Sequence, residues 1–147
     1  MLSQYLCLYL VIASEEKVKK LGLKPLARIV DYADAELDPV DFSIAPHKAT
    51  KKVLARSGLS IGQIDYFEFN EAFSTVCLAN MKLLDIGDDK VNLHGGAVSM
   101  GHPIGMSGAR IVQSLMTVMK QRGGKYGLAA ICNGGGGSTA MIIENLQ

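Results

Sequence analysis

Three clusters place chemically able side chains in short, distinctive settings. His102 sits in the run GGAVSMGHPIGMSGAR from Gly95 to Arg110, Asn70 opens Asn70-Glu71-Ala72-Phe73, and Cys132 opens Cys132-Asn133-Gly134-Gly135-Gly136-Gly137. Together they offer an imidazole, an amide and a thiol: a proton-transfer group, a hydrogen-bonding group and one that serves as nucleophile or acid–base. The five glycines of the first run let the backbone adopt conformations closed to other residues and approach a ligand closely. Such a loop can hold His102 rigidly where a helix begins. A lone histidine in a glycine-rich strand-to-helix turn is as readily structural or solvent-facing. The two companion clusters, each after a strand-like run, favour chemistry.

The elements that must position these clusters follow from periodicity and punctuation. Ser14 reads as an N-cap, with Glu15 and Glu16 in the first turn, Lys19 and Lys20 in the last, and Gly22 beyond the end. Leu26 to Tyr32 has strand character, and the acidic Ala33–Phe42 stretch reads as a loop broken by Pro39. Pro46 begins a helix whose Lys48, Lys51, Lys52 and Arg56 face solvent while Ala49, Val53 and Leu54 face inward, with Gly58 ending it. A strand over Ile64–Phe69 delivers Asn70, and a helix over Ala72–Leu84 follows, with Cys77 as a core side chain. Val91–His94 is expected to be a short strand leading into the glycine-rich run. The helix beyond, Ser107–Gln121, is apolar enough around its circumference to predict burial on more than one side, hence a covering layer from another domain or subunit. Strands over Tyr126–Ile131 and Ser138–Glu144, joined through glycines, predict an antiparallel hairpin. The pattern is α/β: a layered fold with one mixed βαβαβαββ-like sheet and helices on its faces, its active groups outside C-terminal strand ends.

The 147 residues, 48% hydrophobic, suffice for one domain with a core. A net charge of +1 argues against nucleic acid or an anionic membrane as partner. Three cysteines without paired spacing make no disulfide framework and favour a reducing compartment. Tyr5–Ala13 is an apolar run without a preceding Lys or Arg, too short for a membrane span, and is expected to be a buried strand or an unusual extension rather than a targeting segment.

With the three clusters read together, the chain resembles the C-terminal domain of thiolases, the acetoacetyl-CoA thiolases (acetyl-CoA C-acetyltransferases) in particular, from about residue 14 to the end. The resemblance implies that a cysteine of a separate N-terminal domain attacks the acyl thioester. It implies that His102 activates that nucleophile and, with a water held by Asn70, stabilises the thioester oxyanion. Cys132 would move the α-proton of acetyl-CoA, the Gly134 N–H would serve a second oxyanion hole, and Ala72 and Phe73 would contact substrate. Removing a weakly acidic α-proton requires a placed base and donors aimed at the developing enolate oxygen, which these residue types supply. No cofactor or metal is implied; coenzyme A thioesters are the substrates.

Residues 1–13 then form an atypical N-terminal extension or strand and residues 14–147 the domain. Cys7, between Tyr5-Leu6 and Leu8-Tyr9, lacks the small-residue helix start that the family gives its nucleophile. His94 stands where the family usually has asparagine and Ser138 where many members have glycine or alanine, while His47 opens a helix as an exposed or capping residue. The expected partners are CoA or acyl-CoA and a thiolase N-terminal half or full-length subunits, with self-association as an alternative. The cytoplasm or mitochondrion is the expected location, with no targeting signal evident. Two further readings compete: a catalytically inactive thiolase-like protein that binds full-length subunits, and a nucleotide-binding domain. The glycine spacing fits neither G-x-G-x-x-G nor a P-loop, and no close Cys or His pair organises a zinc site from Cys132, His102 and His94.

Overall fold

The computed structural model describes residues 8–147. Ser14 caps α1 (Glu15–Leu21) by accepting the Lys17 N–H at 3.2 Å, and Gly22 closes it in the left-handed region. Residues 8–13 form no strand: Tyr9, Val11 and Ile12 are exposed. That corrects the buried-strand expectation for the part of Tyr5–Ala13 within the described residues; Met1–Cys7 lie outside them.

β1 (Ala27–Glu36) runs four residues further than the sequence suggests, because Ala33 and Ala35 turn inward and the whole segment pairs with the last strand. Asp34 between those alanines and Glu36 after them point to solvent, as a period of two requires. After a 3-10 stretch over Pro39–Ile44, α2 (Ala45–Ser57) buries Ala49, Val53 and Leu54 and leaves its lysines outside, and His47 Nδ1 contacts the Ile44 carbonyl in its first turn.

β2 (Tyr66–Phe69) leads to α3 (Ser74–Leu84), and a single turn, α4 (Ala97–Met100), precedes α5 (Ile104–Arg122). β3 (Tyr126–Cys132) and β4 (Gly137–Asn145) form the expected antiparallel hairpin, register Cys132 opposite Ser138. Strand order is β1-β4-β3-β2, with β2 parallel to β3 and the other pairs antiparallel: one mixed sheet with helices on its faces. Leu128 and Ala130 pack with α2 and Phe67 on one face, whereas Ala129 and Ile143 pack with Ile111, Leu115 and Met119 of α5 on the other.

Among the described residues the sheet has four strands, one fewer than the βαβαβαββ-like pattern expects. Val91–His94 makes one bridge, from Val91 to Phe67, and then turns away because Asn92 is left-handed at φ 48°. Its side chain substitutes for the ladder, accepting from Phe69 N and donating to Phe69 O, both at 2.9 Å. α5 is also not apolar all round: Ile111, Leu115, Val118 and Met119 are buried, while Gln113, Thr117, Lys120 and Gln121 face solvent. Within this chain the helix body buries one face, and Val112 and Met116 beside it are half-buried. The uncovered apolar side chains instead lie near its start, where Ile104 is 84% and Val98 64% exposed.

Candidate active site

Asn70 is the first residue beyond β2, and its N–H bonds to the Ala130 carbonyl of β3 at 3.0 Å, which fixes it to the sheet end. Its side chain is buried, with Nδ2 lying 3.3 Å from His102 Nε2. On the other side of the ring, His102 Nδ1 lies 2.6 Å from Ser107 Oγ. Ser107, fully buried in α5, also bonds to the Pro103 carbonyl at 3.1 Å.

These contacts assign the tautomer. A carbonyl only accepts, so the single Ser107 hydroxyl proton goes to Pro103 and Oγ accepts from His102 Nδ1–H. The neutral ring then carries its lone pair on Nε2, which accepts from the Asn70 amide. Asn70 Oδ1 is left buried without a partner.

The loop carrying His102 is held by the residue after Asn70. Glu71 accepts from Asn92 Nδ2 at 3.1 Å and from the Val98 N–H at 2.9 Å, and its carboxylate lies so close to Gly96 that a Cβ there would fall 2.3 Å from it. Arg110 donates to the Gly101 carbonyl at 2.8 Å, tying α5 back to the residue before His102. Ser107, Glu71, Asn92 and Arg110 were not singled out as site residues from the sequence. The signal available for Ser107 was a hydroxyl inside an apolar helix, which must find a partner when buried.

Cys132 ends β3, two residues past Ala130, at the same end of the sheet but in no hydrogen bond with His102 or Asn70. The structure thus brings the amide and imidazole into contact, while Cys132 stands two residues beyond Ala130 on the neighbouring strand, about 7 Å of backbone rise further on. Burial pushes the Cys132 thiol above its usual range, partly offset by a backbone hydrogen bond, so the protonated thiol is its resting form at neutral pH.

Gly134 is exposed, with open space where a Cβ would stand. Phe73 is 60% exposed and meets Phe42 edge-to-face at 6.1 Å, while Ala72 is half-buried and donates its N–H to the Asn70 carbonyl. Beneath the site, Glu68 is 3% exposed with Oε1 unpartnered. Burial, then the nearby Glu71 charge, raise its carboxyl to about 8 against a smaller opposing effect of Arg110. His94 is exposed in the turn after Asn92.

A family model described as "Thiolase, C-terminal domain" matches residues 23–145. The cytosolic acetyl-CoA acetyltransferase of Gibberella zeae is 54% identical over 137 residues, covering 93% of this chain and 35% of that protein. The mitochondrial acetyl-CoA acetyltransferase of Rattus norvegicus is 57% identical over 136 residues, covering 92% and 32%. The crystal structure of the Acat5 thiolase from Ascaris suum in complex with coenzyme A superposes with a TM-score of 0.88 at 47% identity, covering 91% of this chain and 35% of that one. The chain spans about a third of the length of the curated relatives it matches.

Proposed function

The chain belongs to the thiolase family, matching its C-terminal domain, and from that premise we propose that it supplies the Asn–His–Cys part of an acetoacetyl-CoA thiolase site, with residues 14–147 acting as one domain. The observation that carries this is the Asn70–His102–Ser107 chain of hydrogen bonds, which leaves the His102 lone pair on Nε2 at the sheet end. The nucleophilic thiol comes from a thiolase N-terminal domain, as a separate half or within full-length subunits.

In the cleavage direction the nucleophile's thiol displaces the Asn70 amide at His102 Nε2, which accepts its proton, and the thiolate attacks the 3-keto carbon of acetoacetyl-CoA. The C2–C3 bond breaks, its electron pair becomes the enolate of acetyl-CoA, and the Cys132 thiol protonates the carbon. A protonated resting Cys132 suits that first role as acid. CoA then attacks the acyl group as its thiol proton passes to the Cys132 thiolate, and the nucleophile leaves as a thiolate that recovers its proton from His102, giving a second acetyl-CoA. Each tetrahedral or enolate oxygen needs donors placed in advance. His102, once protonated, and a water held by Asn70 serve one, since the buried, unpartnered Asn70 Oδ1 is an acceptor that a water would satisfy. The Gly134 N–H serves the other, while Ala72 and Phe73 line the acyl path. Coenzyme A thioesters are the substrates, and no metal or prosthetic group takes part.

The exposed Phe73, Val98, Met100 and Ile104 around this end of the molecule support an adjoining domain there. Relatives are named from both cytosol and mitochondria, either of which suits this chemistry, and no described helix is long and apolar enough to cross a membrane. The test is acetoacetyl-CoA cleavage by the chain with and without a separately produced thiolase N-terminal domain. Turnover only in the mixture supports the proposal. Binding of full-length subunits without turnover in any mixture overturns it in favour of an inactive assembly protein.

A further inference from the structure

The glycine turn between β3 and β4 contains more backbone donors than a substrate oxygen needs, and nearly all are already engaged. Asn133 N–H donates to the Gly137 carbonyl at 2.8 Å, and Gly136 N–H donates to the Asn133 carbonyl at 3.1 Å. The Asn133 side-chain oxygen takes two more, from Gly135 N–H at 3.1 Å and Gly137 N–H at 3.3 Å. Gly134 N–H alone in this turn has no acceptor among the described residues. The turn is also fixed from outside. Leu37 N–H donates to the Gly136 carbonyl at 3.0 Å, and Gly136 has φ +92° with the Leu37 oxygen 2.2 Å from where its Cβ would lie. Asn133 therefore closes the turn from within, while Leu37 holds it against the end of β1.

From this arrangement we propose that Asn133 is a positioning residue for thioester recognition, its side chain engaging the Gly135 and Gly137 amides so that Gly134 N–H is the one donor presented to a substrate carbonyl oxygen. This rests on the thiolase reading for the substrate, but the arrangement of donors is independent of it. An apolar residue at position 133 would leave three neighbouring glycine amides competing for solvent or ligand and a turn free to sample other conformations. The Asn133 side chain needs no contact with substrate to act. It narrows the donor set and the conformations together, which lowers the reorganisation required when negative charge develops on the oxygen.

The experiment has two parts. In the first, amide hydrogen exchange is read by NMR on the 147-residue chain. The proposal expects Gly135 and Gly137 to exchange at least about tenfold more slowly than Gly134, each an effect of a retained hydrogen bond. Asn133→Ala removes that protection, and Asn133→Asp, which keeps the accepting oxygen, restores it. Equal exchange at all three amides in the unmodified chain overturns the proposal, even if neither variant folds. In the second part, acetoacetyl-CoA cleavage is measured with a thiolase N-terminal domain. Asn133→Ala is expected to lower kcat about tenfold or more with KM little changed, whereas a rise in KM at unchanged kcat overturns the positioning role. If the unmodified chain shows no turnover, the thiolase reading fails, while the exchange pattern alone decides the role of Asn133 in the turn.

Discussion

His102 and Ser107 are joined, Nδ1 to Oγ at 2.6 Å, across the first turn of the helix that follows the histidine. The ring's orientation and proton position are thereby set by α5 itself. Moving the helix moves the imidazole, and the buried serine decides which ring nitrogen bears the lone pair.

Ser107→Ala should therefore mobilise the ring rather than merely remove a surface contact. The variant leaves His102 Nδ1–H without its acceptor, at a cost of about 1–3 kcal/mol in unfolding free energy. In 15N NMR of the imidazole, the unmodified chain is expected to show one tautomer, protonated at Nδ1, and the variant a mixture. An unchanged tautomer in the variant would sever the link between α5 and the ring.

Glu68 predicts a slope of stability with pH. Its carboxyl is raised from an ordinary 4.5 to about 8, so between those values the folded chain binds a proton that the unfolded chain has released. Stability from this group is accordingly complete below about pH 4.5 and lost as pH rises to about 8, at up to about 1.4 kcal/mol per pH unit. Glu68→Gln should flatten that part of the curve and be the more stable protein at pH 8, measured by urea unfolding across the range. Parallel curves would show that Glu68 is ionised in the fold.

Gly134 and Gly136, in the hairpin turn after Cys132, should respond differently to substitution. Gly136→Ala meets both a left-handed backbone and the Leu37 carbonyl, whereas Gly134→Ala meets open space. The first is expected to lose at least about 2 kcal/mol of stability and the second less than about 0.5 kcal/mol. Thermal unfolding of the pair checks this, and equal losses would mean that the turn is not held against β1.

Burial of the Cys132 thiol gives a prediction for its reactivity. Because the pKa is raised, alkylation by iodoacetamide should be slow at pH 7 and still climbing above pH 9, followed peptide by peptide in a mass spectrometer. A rate that levels off near neutrality would indicate a stabilised thiolate.

Much of the architecture is legible in the sequence because it is locally encoded. Ser14 and Gly22 bracket α1, the inward triad Ala49, Val53 and Leu54 marks α2, and the glycines after Cys132 mark the hairpin. What was misread depends on partners distant in the chain. Ala33–Glu36 looks like an acidic loop until β4 pairs with it, and Val91–His94 looks like a strand until the Asn92 side chain takes over the backbone partners of Phe69. The Asn70–His102 contact joins residues 32 apart, and no periodicity connects them. The clusters named the groups; only the sheet end and the start of α5 bring the amide to the imidazole.

The most direct test of the assignment of roles is acyl transfer from acetyl-CoA to the nucleophile of a supplied thiolase N-terminal domain, trapped by acid quench and compared across variants. The account predicts that Cys132→Ala still accumulates acyl-enzyme while losing carbon–carbon bond chemistry, and that His102→Ala accumulates little. Acyl-enzyme formed equally well without His102, or lost without Cys132, would contradict the assignment of the imidazole to the nucleophile and the thiol to the α-carbon.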